Sequence, residues 1–117
     1  MLTNFEKITV ELNEKELAIV PSIIQAFGKY TKENPIKAPQ IVSRYNSTVV
    51  KGGVKLTEPR LRKIVNHIRS FGLLPLIATS NGYFVSYDKA EIQLQITSLN
   101  ERANSIANCA VGLEEFL

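Results

Sequence analysis

The chain has 117 residues, of which 44% are hydrophobic and 21% are charged, and these proportions are ordinary for one globular domain with its own core. A single cysteine, Cys109, excludes an intramolecular disulfide framework and is typical of a reducing compartment. No secretory signal pattern and no apolar run of membrane-spanning length occurs, so the sequence predicts a cytoplasmic protein that does not enter a membrane.

The net charge of +3 is distributed unevenly along the chain. Residues 1–34 carry −1, from four Lys and five Glu, whereas residues 35–87 carry +7, from eight Lys or Arg and one Glu. Residues 88–117 carry −3, from two basic and five acidic side chains. A basic middle third between acidic ends is typical of a segment that binds nucleic acid. The alternative is a solvated basic face without a ligand.

The first predicted elements, a short strand and a helix, contribute apolar side chains to the core. Residues 8–12 alternate like a short strand, and Asn13 and Glu16 have the spacing of a capping box for a helix that ends near Gly28. Pro21 lies inside this helix, so we expect a kink or a break there. The inward face of the helix is predicted to consist of Leu17, Val20, Ile23, Ile24 and Phe27.

A second, short helix is predicted after a turn at residues 32–35. Residues 35–37 can form only a short extended piece, and the helix then begins at Ala38 with Pro39 in its first turn. Its predicted inward residues are Ile41, Val42 and Tyr45. From Asn46 to Leu56 the sequence predicts a polar connection that contains two adjacent glycines.

The third helix is both amphipathic and cationic. Thr57 is a suitable N-cap, and Gly72 is a suitable left-handed residue at the C-terminal end. The residues with the spacing of a buried stripe are Leu61, Ile64, Val65, Ile68 and Phe71. The opposite side collects Arg62, Lys63, Asn66 and Ser70, with Arg69 on one shoulder and Arg60 and His67 on the other.

A hairpin is predicted to follow this helix. Residues 76–79 and 83–87 have the composition of two strands, and the Asn81-Gly82 pair between them is a strong signal for a tight turn. A helix followed by such a hairpin has the order of elements of the C-terminal half of a winged-helix domain.

The last helix is predicted to begin after Asp88 and to continue close to residue 117. Its apolar residues alternate at gaps of four and three, which is the spacing of a heptad seam. The predicted seam consists of Ile92, Ile96, Leu99, Ala103, Ile106, Ala110, Leu113 and Leu117. Its residues from Ile92 to Leu113 are the predicted dimer interface. We expect the partner to be the same helix of a second copy. The alternative is that this helix folds back on the first helix of its own chain.

Residues for catalysis or metal binding are sparse. His67 has no cysteine or carboxylate at a metal-like spacing, and Cys109 lies beside the heptad seam, where a small packed residue is the usual role. No catalytic triad, dinucleotide fingerprint or P-loop occurs. The sequence therefore predicts a protein that is not an enzyme and that uses no cofactor, metal or small-molecule substrate.

The outward face of the third helix has the chemistry of a DNA reader. Arg62 and Asn66 are the predicted base contacts, because Arg recognises guanine and Asn recognises adenine in bidentate fashion. The residues predicted to position the DNA backbone from the same helix are Arg60, Lys63, Arg69 and Ser70. Further predicted DNA contacts are Lys37, Arg44, Lys51 and Lys55, together with Ser80 and Asn81 in the hairpin.

The stretch EPRLRKIVNHIRSFGLLPLIATSNGYFVS resembles the winged helix-turn-helix domains of phage and mobile-element DNA-binding proteins, including those of replication or regulatory modules. The resemblance lies in the R-x-R-K-I helix at residues 60–64, the small-polar-Gly-Tyr turn within residues 78–83, and the S-L-x-x-R-A segment at residues 98–103. It implies double-stranded DNA as the partner. It also implies that the third helix reads the DNA through Arg60, Arg62, Lys63 and Asn66.

The sequence thus predicts an α+β, mostly helical protein: a winged-helix domain over residues 1–87 and a C-terminal, coiled-coil-like dimerisation helix over residues 88–117. The function we expect is non-enzymatic binding of duplex DNA by a homodimer, as a replication or transcription regulator of a phage or mobile element. The rival hypothesis is a protein-interaction adaptor that keeps this fold without binding DNA. Binding of single-stranded nucleic acid is more distant, because Tyr83 and Phe84 are too few for a stacking platform.

Overall fold

The computed structural model describes residues 11–48 and 53–117. This part of the chain is α+β and mostly helical, with four helices and one two-stranded antiparallel sheet. The helices are α1 Glu14–Phe27, α2 Ala38–Thr48, α3 Glu58–Ser70 and α4 Lys89–Glu114, and the strands are β1 Leu76–Thr79 and β2 Gly82–Val85. Contacts divide the chain into two compact units with their boundary between Ser86 and Tyr87. The strand predicted over residues 8–12 lies largely outside the described residues.

Helix α1 begins at the predicted capping box. The Asn13 side chain accepts a hydrogen bond from the Glu16 N–H at 2.8 Å, and Glu16 Oε1 accepts one from the Asn13 N–H at 3.0 Å. The helix does not break at Pro21. Leu17 and Pro21 are both exposed, so the carbonyl group that loses its helical partner to the proline ring lies on the solvent side.

The buried face of α1 contains partly different residues from those predicted. The buried residues are Glu16, Val20, Ile23 and Phe27, whereas Leu17 is 47% exposed and Ile24 is half-buried. A carboxylate therefore occupies the core position that the apolar pattern assigned to Leu17. The physical reason is that cations from α3 neutralise this carboxylate.

The predicted extended piece before α2 pairs with the hairpin. The Ile36 N–H donates to the Tyr83 carbonyl at 2.9 Å, and the Tyr83 N–H donates to the Ile36 carbonyl at 2.7 Å. Gly82, with φ of +125°, allows this approach, since a Cβ atom there would lie 2.5 Å from the Ile36 carbonyl oxygen. In the hairpin itself Thr79 pairs with Gly82 across a turn at Ser80 and Asn81.

Helix α2 continues through residues 46–48, which the sequence predicted to be part of the connection. The extension places Asn46 opposite the start of α3. Its Nδ2 donates to the Leu56 carbonyl at 2.9 Å, and its Oδ1 accepts from the Leu56 N–H at 2.7 Å. Both ends of the long connection are thereby tied together.

Helix α3 has the predicted caps at both ends. The Thr57 hydroxyl accepts from the Arg60 N–H at 3.3 Å. At the other end Gly72 has φ of +62°, and the Gly72 and Leu73 N–H groups donate to the carbonyls of Arg69 and Ile68. These two bonds form a Schellman motif, which requires a left-handed residue at the position of Gly72.

The core of the first unit lies around α3, which packs on α1, α2 and β1. Leu61, Ile64 and Ile68 are 0% exposed, and Val65 is 4% exposed, so four of the five residues of the predicted stripe are confirmed. Phe71 is not part of this core, because it is 69% exposed. The helix ends at Ser70, and the Phe71 ring lies beside the His67 ring with 4.6 Å between centroids.

Helix α4 forms the second unit. The predicted cap is present, with Asp88 Oδ1 accepting from the Ala90 N–H at 2.8 Å. No residue of α4 is buried. The helix ends at Glu114, so the seam position predicted at Leu117 lies beyond it. None of the helices in the described part of the chain combines the length and the apolar character needed to cross a membrane.

Candidate nucleic-acid interface

The exposed side of α3 presents a row of polar side chains. Arg62, Asn66 and Ser70 are all exposed, and their spacing of four residues aligns them along one side of the helix. The row lies opposite the buried residues Leu61, Ile64 and Ile68, which hold the helix rigidly on the core. A guanidinium, an amide and a hydroxyl on one rigid helix can donate hydrogen bonds to phosphates and to base edges.

Two of the predicted DNA contacts on α3 instead hold a carboxylate of α1. Arg60 Nε lies 3.1 Å from Glu16 Oε2, and Lys63 Nζ lies 2.9 Å from Glu16 Oε1. The Glu16 side chain is 4% exposed, compared with 32% for Arg60 and 23% for Lys63. A buried carboxylate is tolerated when it is paired and hydrogen-bonded, as Glu16 is on both oxygens.

Electrostatics of this cluster favour the ionised carboxylate. Burial raises the pKa of Glu16, but hydrogen bonds from Lys63, the Asn13 backbone and Arg60, together with the positive charge of Lys63, outweigh burial and hold the pKa below its usual value. Arg60 is fixed further by a bond from Nη1 to the Lys55 carbonyl at 2.8 Å. Two cations and one anion therefore leave a single net positive charge at this position.

The shoulder residues of α3 are partly covered. Arg69 and His67 are half-buried. The His67 ring packs against the Phe71 ring, which is an apolar contact at the end of the helix. These two residues therefore lie beside the exposed row rather than in it.

Arg44 lies on α2 and not on the exposed side of α3. Its Nη1 donates to the Tyr30 hydroxyl, and its guanidinium lies 5.9 Å from the centre of the Tyr30 ring. Lys29 approaches the same ring, with Nζ 5.5 Å from its centre. A groove of about 670 Å³ runs between α1 and α2 here, lined by Ser22, Gln25, Lys29, Tyr30, Arg44 and Tyr45 among others. Cations and hydroxyls with no carboxylate in the lining suit an anionic group.

Lys37 and the hairpin turn form a second depression. A cavity of about 250 Å³ is lined by Lys37, Thr79 and Ser80, with Ala38, Ala78, Gly82 and Tyr83. The pairing of Ile36 with Tyr83 brings Lys37 to this place. Asn81 is exposed at the tip of the turn, and its N–H donates to the Thr79 hydroxyl at 3.2 Å.

The remaining predicted DNA contacts lie around the long connection. Lys55 is exposed just before α3, and its carbonyl accepts the bond from Arg60. Lys51 lies outside the described residues. The predicted contacts that the structure describes thus lie at several places: the exposed row of α3, Arg69 beside it, the Glu16 cluster, Lys55 before α3, the groove between α1 and α2, and the hairpin with Lys37.

The predicted seam of α4 is solvent-exposed over most of its length. Ile92 is half-buried, whereas Leu99 is 39%, Ile96 44%, Ile106 60% and Leu113 68% exposed. The two seam alanines, Ala103 and Ala110, are also exposed. Outside the seam, Leu94 is 71% exposed. The second unit therefore presents apolar side chains that have no cover within it.

Residues for metal binding do not come together in the described ranges. Within residues 11–48 and 53–117 no group of three or more His, Cys, Asp or Glu side chains is placed to hold a metal ion. Cys109 is an exposed free thiol on α4. Its expected packing beside the heptad seam stays a prediction together with the dimer.

The sequence does not predict the contacts of two residues that hold α3, Glu16 and Asn46. The capping box accounts for one contact of Glu16, but its spacing from Val20 and Ile23 also places it on the buried face, which signals a buried charge with a partner. The two hydrogen bonds between Asn46 and Leu56 join residues ten positions apart, so no local pattern indicates them.

Comparisons with protein-family models, with curated proteins and with solved structures gave no match.

Proposed function

We propose that this protein is a winged helix-turn-helix protein that binds double-stranded DNA without catalysing a reaction. The observation that carries the proposal is the exposed row Arg62, Asn66 and Ser70 on a helix whose other side is fully buried. An α-helix fits the major groove, and these three side chains supply donors for guanine, for adenine and for phosphate.

The order of elements supports a winged-helix assignment. Helix α1, the extended Ile36, helices α2 and α3 and the β1–β2 hairpin follow one another, and Ile36 pairs with the hairpin through Tyr83. The connection between α2 and α3 is longer than the turn of a tight helix-turn-helix. Asn46 nevertheless holds its two ends together through its hydrogen bonds to Leu56. In such folds the second helix of the pair is the reader.

Charge supports the same assignment. The segment of residues 35–87 carries +7, and it includes α2, α3 and the hairpin. Phosphate contacts supply most of the sequence-independent affinity for DNA, and a segment of this charge supplies the required electrostatic attraction. Lys37, Thr79 and Ser80 line a depression beside the hairpin where a phosphate can be held.

The protein acts, in this proposal, as a homodimer through α4. Seven apolar residues from Ile92 to Leu113 follow a heptad spacing on one side of this helix, and none of them is buried. Two copies of the helix cover each other's seam, and the alanines allow a close approach. Two reading helices then meet half-sites about 34 Å apart on one face of the duplex.

A role in replication or transcription control of a phage or mobile element rests on the resemblance of residues 58–86 and 98–103 to such proteins.

The direct test of DNA binding is selection of bound sequences from a random duplex pool, followed by affinity measurements at several salt concentrations. We expect log affinity to fall linearly with log salt. Absence of binding at low salt would contradict the proposal.

A second candidate function is that of a protein-interaction adaptor with the same fold. The groove between α1 and α2 favours it, because Lys29 and Arg44 line this groove and Arg44 is held in place by Tyr30. An acidic protein segment would fit this chemistry. The two functions differ in their dependence on Arg62, which lies on α3 and does not line the groove.

A further inference from the structure

We propose that Glu16 is a positioning residue of the DNA-contacting surface. From α1 it holds the side chains of Arg60 and Lys63, which belong to α3, so that Arg62 is the principal cation of α3 that contacts phosphates or bases. This inference rests on the proposed function. It reassigns two residues that the resemblance implies are DNA contacts.

The geometry of the Glu16 cluster carries the argument. Glu16 accepts hydrogen bonds from Lys63 Nζ, Arg60 Nε and the Asn13 N–H, all between 2.9 and 3.1 Å. The Glu16 side chain is 4% exposed, so these three donors stand in for most of the water that an exposed carboxylate would bind. If Arg60 and Lys63 turned toward phosphates, the buried carboxylate would keep the Asn13 N–H but lose both of its cations, which is strongly unfavourable.

Arg60 is held by a second constraint. Its Nη1 donates to the Lys55 carbonyl at 2.8 Å while its Nε donates to Glu16, so two N–H groups of the guanidinium are bound within the protein. Arg62, two residues later, points to the other side of the helix and is exposed. The cluster thus sets which of the neighbouring cations of α3 reach DNA.

Glu16 also orients α3 against α1. The ion pairs connect the first turn of α1 with the first half of α3, next to the buried contacts of Leu61 and Ile64. Rotation of α3 about its axis would break them. The carboxylate therefore fixes the direction in which the exposed row of α3 points.

The test compares salt dependence of duplex binding in variants that differ at the cluster. Glu16→Gln retains the length of the side chain and the capping acceptor but removes the charge that holds Arg60 and Lys63. Glu14→Gln is the matched control, since Glu14 lies on the same turn and is exposed. We expect the slope of log affinity against log salt to steepen in Glu16→Gln by about one unit for each cation released. The control should keep the wild-type slope.

A second pair of variants keeps the inference testable if Glu16→Gln does not fold. Arg62→Met should flatten the slope by about one unit or relax specificity at one base position, whereas Lys63→Met should flatten the slope by less than about half a unit and leave specificity unchanged. Equal flattening by both variants overturns the inference, as does a wild-type slope in a folded Glu16→Gln protein. Failure of the wild type to bind any duplex overturns the proposed function itself, and with it this inference.

Discussion

The side chain of Asn46 holds the backbone of Leu56 by both of its polar groups, at 2.9 Å to the carbonyl and 2.7 Å from the N–H. Leu56 is 2% exposed and immediately precedes the Thr57 cap of α3. The bidentate bond therefore sets the point at which α3 begins, although nine residues separate the two partners.

Replacement of Asn46 should destabilise the protein. Asn46→Ala leaves the buried Leu56 backbone groups without partners, so we expect a loss of about 1–3 kcal/mol in the free energy of unfolding. Asn46→Asp retains the acceptor for the N–H but loses the donor, and an intermediate or equal loss is expected. Urea denaturation measures both. Ser47→Ala is the control, because its exposed hydroxyl donates to the Arg44 carbonyl within α2, and a loss as large as that of Asn46→Ala would contradict the assignment.

Gly82 should tolerate no side chain, because its φ is +125° and a Cβ atom would meet the Ile36 carbonyl at 2.5 Å. We expect Gly82→Ala to lower the free energy of unfolding by more than about 1 kcal/mol and to weaken the pairing of Ile36 with Tyr83. Thermal unfolding measures the first effect, and amide exchange at Tyr83 measures the second. Gly112→Ala is the matched control: this site is open, and alanine stabilises a helix by up to about 1 kcal/mol. Similar effects at the two sites would argue against the close approach.

Local chemistry made much of the fold predictable. The Asn13 and Thr57 caps, the left-handed Gly72, the hairpin turn before Gly82 and the Asp88 cap each depend on residues within a few positions of one another. Phe71 was misplaced because the apolar spacing continues past the point where Gly72 ends the helix. The winged-helix assignment itself remains a prediction.

The candidate site was less predictable than the fold. The exposure of Arg62, Asn66 and Ser70 follows from helix periodicity, so the sequence was sufficient for this row. The pairing of Arg60 and Lys63 with Glu16 was not predictable in the same way, because the partners are 44 and 47 positions apart in the sequence. Helix periodicity specifies which direction a side chain points, but it does not specify which element packs there.

Arg62 should contribute a measurable share of the affinity for duplex DNA. Arg62→Ala removes an exposed cation without disturbing the core, so we expect either a slope of log affinity against log salt that is flatter by about one unit, or relaxed specificity at one base position. Fluorescence anisotropy at four or more salt concentrations measures the slope. Arg102→Ala removes the same charge from α4 and should leave slope and specificity unchanged. A wild-type slope and specificity in Arg62→Ala would show that Arg62 does not contact the DNA.

The proposed coiled coil should depend on Leu99. We expect Leu99→Lys to convert the dimer to a monomer in sedimentation, because a charge in the seam must be desolvated or the helices must separate. Leu94→Lys makes the same substitution five residues earlier, at an exposed position outside the seam, and should remain dimeric. A wild type that is already monomeric at micromolar concentration would favour the fold-back of α4 on its own chain.

Glu16 should make the stability of the protein depend on acid pH. The pKa of its carboxyl is lowered in the folded protein, because the bonds from Lys63, Asn13 and Arg60 outweigh the effect of burial. A group with a lowered folded pKa stabilises the protein above its unfolded pKa, about 4.3 for Glu, and this contribution is lost as the pH falls through the folded value. We expect the wild type to exceed Glu16→Gln in free energy of unfolding above about pH 5, with the difference shrinking steadily at lower pH. Urea denaturation between pH 3 and pH 7 measures it, and Glu14→Gln should follow the wild-type profile. A constant difference between wild type and Glu16→Gln across this range would show that the charge of Glu16 does not stabilise the fold.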